Sequence, residues 1–217
     1  MPDVGSERYV PALGRDSLTA LYDPLIRLTT RERTFKERLL EQTGLEPGQR
    51  VLDIGCGTGT LDIWIKEREP GTELVGIDGD PAVLKRARQK ADKAGFDIGF
   101  REALADDLPF EDASFDRVVS SLVFHHLPRE VKERSAAEIA RVLRPEGELH
   151  VADWGPGDPL MRLAFFTTQL LDGFERTRDN VAGRLPAIFE AAGLRDVRER
   201  QRLRTISGSM VLLSATR

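Results

Sequence analysis

The run Val51-Leu52-Asp53-Ile54-Gly55-Cys56-Gly57-Thr58-Gly59-Thr60 constrains the fold of this chain more than any other stretch. Apolar residues around a single acid read as a short buried strand. Three glycines at alternate positions then let the backbone turn sharply and approach a ligand without side chains in the way. Leu61–Glu67 follow with helical character, and Pro70-Gly71 end them. A strand, a glycine loop and a helix in that order form the opening unit of a nucleotide-binding α/β sheet.

Glycine spacing narrows the nucleotide. A dinucleotide site wants Gly-x-Gly-x-x-Gly, and Thr60 stands where its third glycine belongs. No Gly-Lys-Ser or Gly-Lys-Thr follows, so a phosphate-binding loop is excluded. The loop by itself still leaves a nicotinamide dehydrogenase open. The next apolar run, Glu73–Asp78, places Asp78 at a strand end, near the roughly 20-residue offset expected of a ribose-binding acid. A carboxylate there accepts both ribose hydroxyls and repels a 2′-phosphate. Asp80 suits the N-cap of a helix over Pro81–Ala94, because Pro81 then takes the first helical position.

Residues 48–155 resemble the class I S-adenosylmethionine-dependent methyltransferases, in the branch that modifies small molecules. Four ordered parts carry the resemblance: the glycine loop, the acid of Gly76-Ile77-Asp78, Leu108-Pro109-Phe110 followed by Ser114-Phe115-Asp116, and Arg141-Val142-Leu143-Arg144-Pro145-Glu146-Gly147. The implied fold is α/β: a Rossmann-like, doubly wound, mostly parallel seven-stranded sheet with a C-terminal antiparallel hairpin. The implied cofactor is S-adenosyl-L-methionine, with S-adenosyl-L-homocysteine as product. On that resemblance Gly55, Cys56, Gly57 and Gly59 line the methionine end, and Asp53 holds the loop or the amino group. Asp78 and Gly79 meet the ribose. Leu104 stands where the family often carries an acid for the adenine amine, which leaves that contact to Asp106, backbone or water. Ala105 still offers its main-chain N–H, and the strand over Phe115–Ser121 brings Ser120, Ser121 and Leu122 beside the sulfonium.

Methyl transfer from a sulfonium is an in-line displacement, and holding the reactants in line supplies up to roughly 7–11 kcal/mol. A general base helps when the acceptor must lose a proton. His125 and His126 follow the strand read over Arg117–Phe124, at the carboxyl end where such sheets bind ligands. One of them is expected to face the cleft, His125 being favoured; the alternative is that both pack the loop before Leu127-Pro128. Asp153 is a third catalytic candidate, and His150 reads as a core or edge residue of Glu148–Ala152. One cysteine, and no His/Asp cluster at ligand spacing, argue against a metal.

A net charge of −4 with dispersed Lys and Arg argues against nucleic acid as acceptor. With no apolar run near the roughly 20 residues of a membrane span, and no signal-like start, the expectation is a cytoplasmic protein. One domain is expected over 1–217: an N-terminal helical cap (1–46), the cofactor-binding core (47–152), a lid or acceptor insertion (153–183), and a C-terminal helix and hairpin (184–217). The hairpin is read from two β-rich runs, Val197–Thr205 and Met210–Thr216.

Two segments outside the common core select the acceptor. In the first, containing Tyr9 and Asp23, Tyr22 is expected near the sulfonium and Arg31 or Arg33 on the methionine carboxylate. The second holds Leu160, Leu163, Ala164, Leu171 and Phe174 at helical spacing, with Phe165, Phe166 and Leu170 widening the apolar face. A helix apolar on several sides is buried or lines an apolar pocket. The expected function is therefore methyl transfer to a small, apolar or aromatic acceptor. The alternatives are a quinone or lipid methyltransferase at the membrane surface, with Arg162, Arg176 and Arg178 as flanking cations, and a protein that binds S-adenosylmethionine without catalysis.

Overall fold

The computed structural model describes residues 32–217, except for the side chains of residues 160, 162, 164, 167, 168, 171 and 172. Tyr9, Tyr22, Asp23 and Arg31 lie outside the described residues. Helix α1 (Glu32–Thr43) precedes β1 (Arg50–Ile54), α2 (Thr60–Arg68), β2 (Glu73–Asp78), α3 (Pro81–Ala94) and β3 (Gly99–Glu102). Then come β4 (Phe115–Ser121), a 3₁₀ turn (Phe124–His126), α4 (Arg129–Val142) and β5 (Leu143–Trp154). The chain continues through α5 (Pro159–Asp172), α6 (Phe174–Val181), α7 (Leu185–Ala191), β6 (Arg195–Thr205) and β7 (Gly208–Thr216).

The seven strands form one sheet in the order β3-β2-β1-β4-β5-β7-β6. Strands β1 to β5 run parallel, while β7 pairs antiparallel with both β5 and β6. The expected hairpin thus inserts its second strand into the sheet and leaves β6 at the edge. Burial on both flanks explains why Met210-Val211-Leu212-Leu213 is a continuous apolar run.

Side chains alternate across the sheet with period two. Leu52, Ile54, Val118, Leu149, Val151, Val211 and Leu213 pack with α4 and α7 through Ile139, Val142, Ile188 and Phe189. Val51, Val119, Ala152, Met210 and Leu212 pack on the other face with α1, α2 and α5 through Phe35, Leu39, Leu61, Ile65 and Phe165. Strand β1 leads to β2 on one side and lies beside β4 on the other. The carboxyl ends of β1 and β4 therefore form the switch point where doubly wound sheets bind ligands.

Local chemistry sets the boundaries. The Asp80 carboxylate accepts from the Ala82 N–H at 2.7 Å with Pro81 behind it, and Gly95 at φ +74° closes α3. The downstream motifs are clamps. Glu138 accepts from the Leu108 N–H at 2.9 Å, and Arg141 donates to the Leu108 and Phe110 carbonyls at 3.0 and 2.7 Å. Asp116 accepts from the Arg50 N–H at 2.7 Å and from Arg144, tying β4 to the start of β1. One expectation needs correcting: β4 ends at Ser121 and does not reach Phe124. Leu122, at φ +60°, leaves the extended region, and the chain turns into the 3₁₀ helix that carries both histidines.

Candidate active site

The glycine loop leaves β1 and is held by the neighbouring strand: Gly55 and Cys56 both donate their N–H to the Ile77 carbonyl at 2.9 Å. Each glycine has its own reason. A Cβ on Gly55 would lie 2.3 Å from Val123 Cγ2, and one on Gly59 would press on Ala87 and the Phe100 ring. Gly57, at φ +54°, would project its Cβ into open space with nothing within 4 Å, so the backbone there is bare for a ligand. Lys90 of α3 donates to the Thr58 and Thr60 hydroxyls at 3.1 and 2.9 Å. Thr60, in the place of a dinucleotide glycine, is thus part of the loop's own bracing. Cys56 is buried behind the loop, and burial pushes its thiol up and out of reactive range.

Asp78 ends β2 beneath this loop. Its carboxylate accepts from the Gly57 N–H at 3.0 Å and the Asp80 N–H at 2.9 Å, so it joins the glycine loop to the loop after β2. Burial raises its pKa against those hydrogen bonds. Deeper in, Asp53 and Asp62 are buried side by side, and among the described residues no basic side chain donates to either carboxylate. Burial drives the Asp53 carboxyl well above its ordinary range, with the neighbouring Asp62 adding to the effect. Burial likewise pushes Asp62 up to about 7, against the pull of Lys36 and Lys90. Such a pair is a built site for positive charge or for a shared proton. Asp62 was absent from the sequence-based candidates, although a lone acid between Leu61 and Ile63 was its visible signal.

A cavity of about 520 Å³ opens at the carboxyl ends of the strands. One side is made of Ile54, Gly55, Ile77, Asp78, Gly79 and the segment Ala103-Leu104-Ala105-Asp106. The other is made of Leu122, Val123, His126, Leu127, Pro128, Val131, Arg134 and Arg176. Leu104 and Ala105 therefore stand on its wall, while the Asp106 carboxylate is engaged by Arg134 Nε and Nη2 at 3.1 and 2.6 Å. Ser120 donates its hydroxyl to the Ile54 carbonyl at 3.1 Å and is buried between strands; Ser121 closes β4. Arg33 is exposed on α1 and pairs with Glu37, away from this wall.

The two histidines separate sharply. His125 is buried, and its Nδ1 lies 2.7 Å from Asp153 Oδ1. Asp153 also accepts from the main-chain N–H groups of Phe124 at 2.8 Å and Trp154 at 2.7 Å, so it fixes the 3₁₀ turn. His126 is the histidine on the cavity wall, packed against His125 with ring centroids 3.9 Å apart and the planes tilted by 40°. Burial, with His125 and Arg176 alongside, drives its pKa well below the usual imidazole value, so the ring is neutral at pH 7. His150 is buried on the interior strand β5, between Gln42 and Glu148 at 3.2 and 3.1 Å.

The open space beside Gly57, the two buried acids and Asp78 at a strand end suit a ligand with an ammonium group and a ribose. Arg134, Val123 and Val131 were missing from the sequence candidates, and Arg176 stood there only as a surface cation. None has a local signal, because only the fold brings them together.

Comparison with known proteins agrees with this geometry. Residues 51–147 match a family model described as a methyltransferase domain. The demethylmenaquinone methyltransferase of Thermus thermophilus is 37% identical over 137 residues, covering 62% of this chain and 61% of the relative. That of Deinococcus radiodurans is 36% identical over 142 residues, covering 64% and 58%. The chain thus spans about three-fifths of the length of these curated relatives. A Haemonchus contortus phosphoethanolamine N-methyltransferase, solved with phosphomonomethylethanolamine and S-adenosylhomocysteine, superimposes with a TM-score of 0.71 at 17% identity, over 85% of this chain and 52% of that one. Fold, matched domain and ordered motifs coincide, and residues 51–147 form a methyltransferase domain of the S-adenosylmethionine-dependent kind.

Proposed function

We propose that this chain transfers the methyl group of S-adenosylmethionine to a small, apolar or aromatic acceptor, with His126 as general base. The carrying observation is the two-sided cavity: one side bears Gly55, Asp78 and Gly79, and the other sets apolar side chains and two arginines, Arg134 and Arg176, around the neutral His126 imidazole. When bound, the cofactor supplies a sulfonium methyl that is already activated for displacement. Asp78 would hold the ribose hydroxyls, Asp53 and Asp62 would face the ammonium, and the Leu104 to Asp106 segment would meet the adenine. Leu122, Val123, Leu127 and Val131 exclude water from the acceptor side. His126 takes the proton from the acceptor onto a ring nitrogen, a contribution of about 10²–10⁴ in rate. His125 and Asp153 act from behind, fixing the turn that aims His126.

Calorimetric titration with S-adenosylhomocysteine, with NAD as comparison, tests this reading. Binding of the first alone is the expected result. Binding of NAD alone would defeat it. A second reading, a lipid-borne quinol as acceptor, is favoured by Leu163, Phe166, Leu170 and Phe174, which are exposed along α5 and the start of α6. The name of the two curated relatives points the same way. Among the described residues no helix is long and apolar enough to cross a membrane, so such contact would be at the surface. Flotation of the protein with anionic vesicles, lost in Phe166→Ser/Leu170→Ser, would support it; no flotation would remove it.

A further inference from the structure

Four charged side chains line the cavity: Asp78, Asp106, Arg134 and Arg176. Three are already engaged. Asp78 accepts two main-chain N–H groups, and Arg134 places both Nε and Nη2 on Asp106. Arg176 has no carboxylate partner among the described residues. Asp179, three residues along the same helix, is taken by Arg129 at 3.5 Å, Arg184 at 3.3 Å and Lys132 at 3.9 Å. Nor is Arg176 loosely placed. The Lys132 ammonium, buried within α4, donates to the Arg176 carbonyl at 2.5 Å, pinning α6 over the 3₁₀ turn. The guanidinium therefore faces the same cavity wall as His126, and its charge helps keep that imidazole neutral. Sheet order places both on the β4 side of β1, whereas Asp78 lies on the β2 side.

An anchored cation with no carboxylate partner among the described residues, beside a neutral base and apolar side chains, is a receptor for an anion formed in place. We propose that Arg176 is the acceptor-anion site: the chamber takes aromatic acceptors with an acidic hydroxyl, of the phenol or hydroquinone class, and holds the oxyanion on the guanidinium. The O–H bond breaks with its electron pair left on oxygen, the proton passes to the His126 imidazole, and the oxyanion pairs with Arg176. A permanently charged carboxylate would need no base, and a plain hydrocarbon would leave Arg176 desolvated and unpaired. Among the described residues, the charged and titratable groups on that side of the cavity are Arg176 from α6, His126 from the 3₁₀ turn and the Arg134–Asp106 pair from α4 and the post-β3 segment. Lys132 lies behind the Arg176 carbonyl, and Asp153 lies behind His125. This inference rests on the acceptor site proposed above and names its substrate class.

The test uses 4-nitrophenol, which is yellow only as its anion, with the protein saturated by S-adenosylhomocysteine. Bound to the wild type, the probe should ionise at lower pH than in free solution. Arg176→Met should abolish that shift and weaken probe binding by about 10- to 150-fold, the worth of one charge-assisted hydrogen bond. Arg176→Lys should restore part of the shift, and nitrobenzene should bind all three proteins alike. S-adenosylhomocysteine affinity, measured in the same samples, should be equal throughout. Its absence in the wild type would sink the cofactor reading instead. The inference is overturned if the wild type binds the probe as neutral phenol or not at all, or if Arg176→Met binds it as well. Should Arg176→Met fail to bind S-adenosylhomocysteine through misfolding, the wild-type ionisation shift and Arg176→Lys decide alone.

Discussion

The two sides of the cavity are built differently. The β1–β3 side is mostly backbone: the glycine loop from Gly55, with open space beside Gly57, and Asp78 at the end of β2, all within a few residues of the motifs that announce them. The β4–α6 side is mostly side chains, gathered from Leu122 to Arg134 and from Arg176, some 40 residues further on by sequence number. A backbone-built half leaves fixed marks, because only glycine tolerates φ near +60° without strain and only a carboxylate answers paired hydroxyls. A side-chain-built half leaves few, because each residue is ordinary until a helix aims it. The halves meet where a Cβ on Gly55 would collide with Val123, so the wall after β4 rests on the glycine loop.

The sharpest way to break this comparison is Gly57→Val. It should bring S-adenosylhomocysteine binding below calorimetric detection, because the side chain fills the space beside the loop and valine is strained at φ +54°, while far-ultraviolet dichroism shows the helices and sheet kept. Normal affinity would mean that the ligand does not approach this backbone. Next in size, His126→Ala should lower turnover by about 10²–10⁴ with cofactor affinity intact. His125→Ala should act chiefly on stability, by about 1.5–3 kcal/mol in denaturant melts, because Asp153 loses its charge-assisted partner. If the two variants behaved alike, the division between wall and support would be wrong. The depressed His126 pKa also requires turnover to hold level from neutral pH upward and to fall only in acid, below the ordinary imidazole range.

Asp78→Ala should weaken S-adenosylhomocysteine by about 1.5–3 kcal/mol. Part of that loss should come from the loop, since Asp78 also braces the Gly57 N–H. The smallest effect, Asp62→Asn, should run the other way. The Asp62 carboxyl is held at about 7 by burial, above its value near 4 in an unfolded chain. Its contribution is fully present below about pH 4 and is lost as pH rises towards 7. The variant should therefore be more stable at pH 8 by about 1–3 kcal/mol, roughly 2–4 °C per kcal/mol, with the gain vanishing below pH 4. A melt showing no gain at pH 8 would mean that Asp62 is charged and compensated.

Much of the fold was legible because it rests on local chemistry. Alternating and continuous apolar runs gave β1, β2 and the C-terminal hairpin, and Asp80-Pro81 gave the start of α3. Strand β3 carried no such mark: Gly99-Phe100-Arg101-Glu102 has one apolar side chain and is defined by pairing with β2. The motifs used to recognise the family turned out to hold structure, Glu138 and Arg141 clamping Leu108 and Phe110, with Asp116 joining β4 to β1. They signal the fold because the fold depends on them.

The sequence by itself determined the class of sheet, the glycine loop and the acids at its strand ends, since backbone conformation and buried carboxylates allow few residue types. The tertiary structure alone decided which histidine meets the cavity. One left-handed residue, Leu122, turns the chain out of β4, and Asp153 holds the 3₁₀ turn so that His125 faces inward and His126 outward. It also decided that Arg176 lines the cavity, through a buried lysine that fastens α6 above that turn. Adjacent residues on a short turn differ in direction by an angle no pattern of residue types encodes, and packing fixes it.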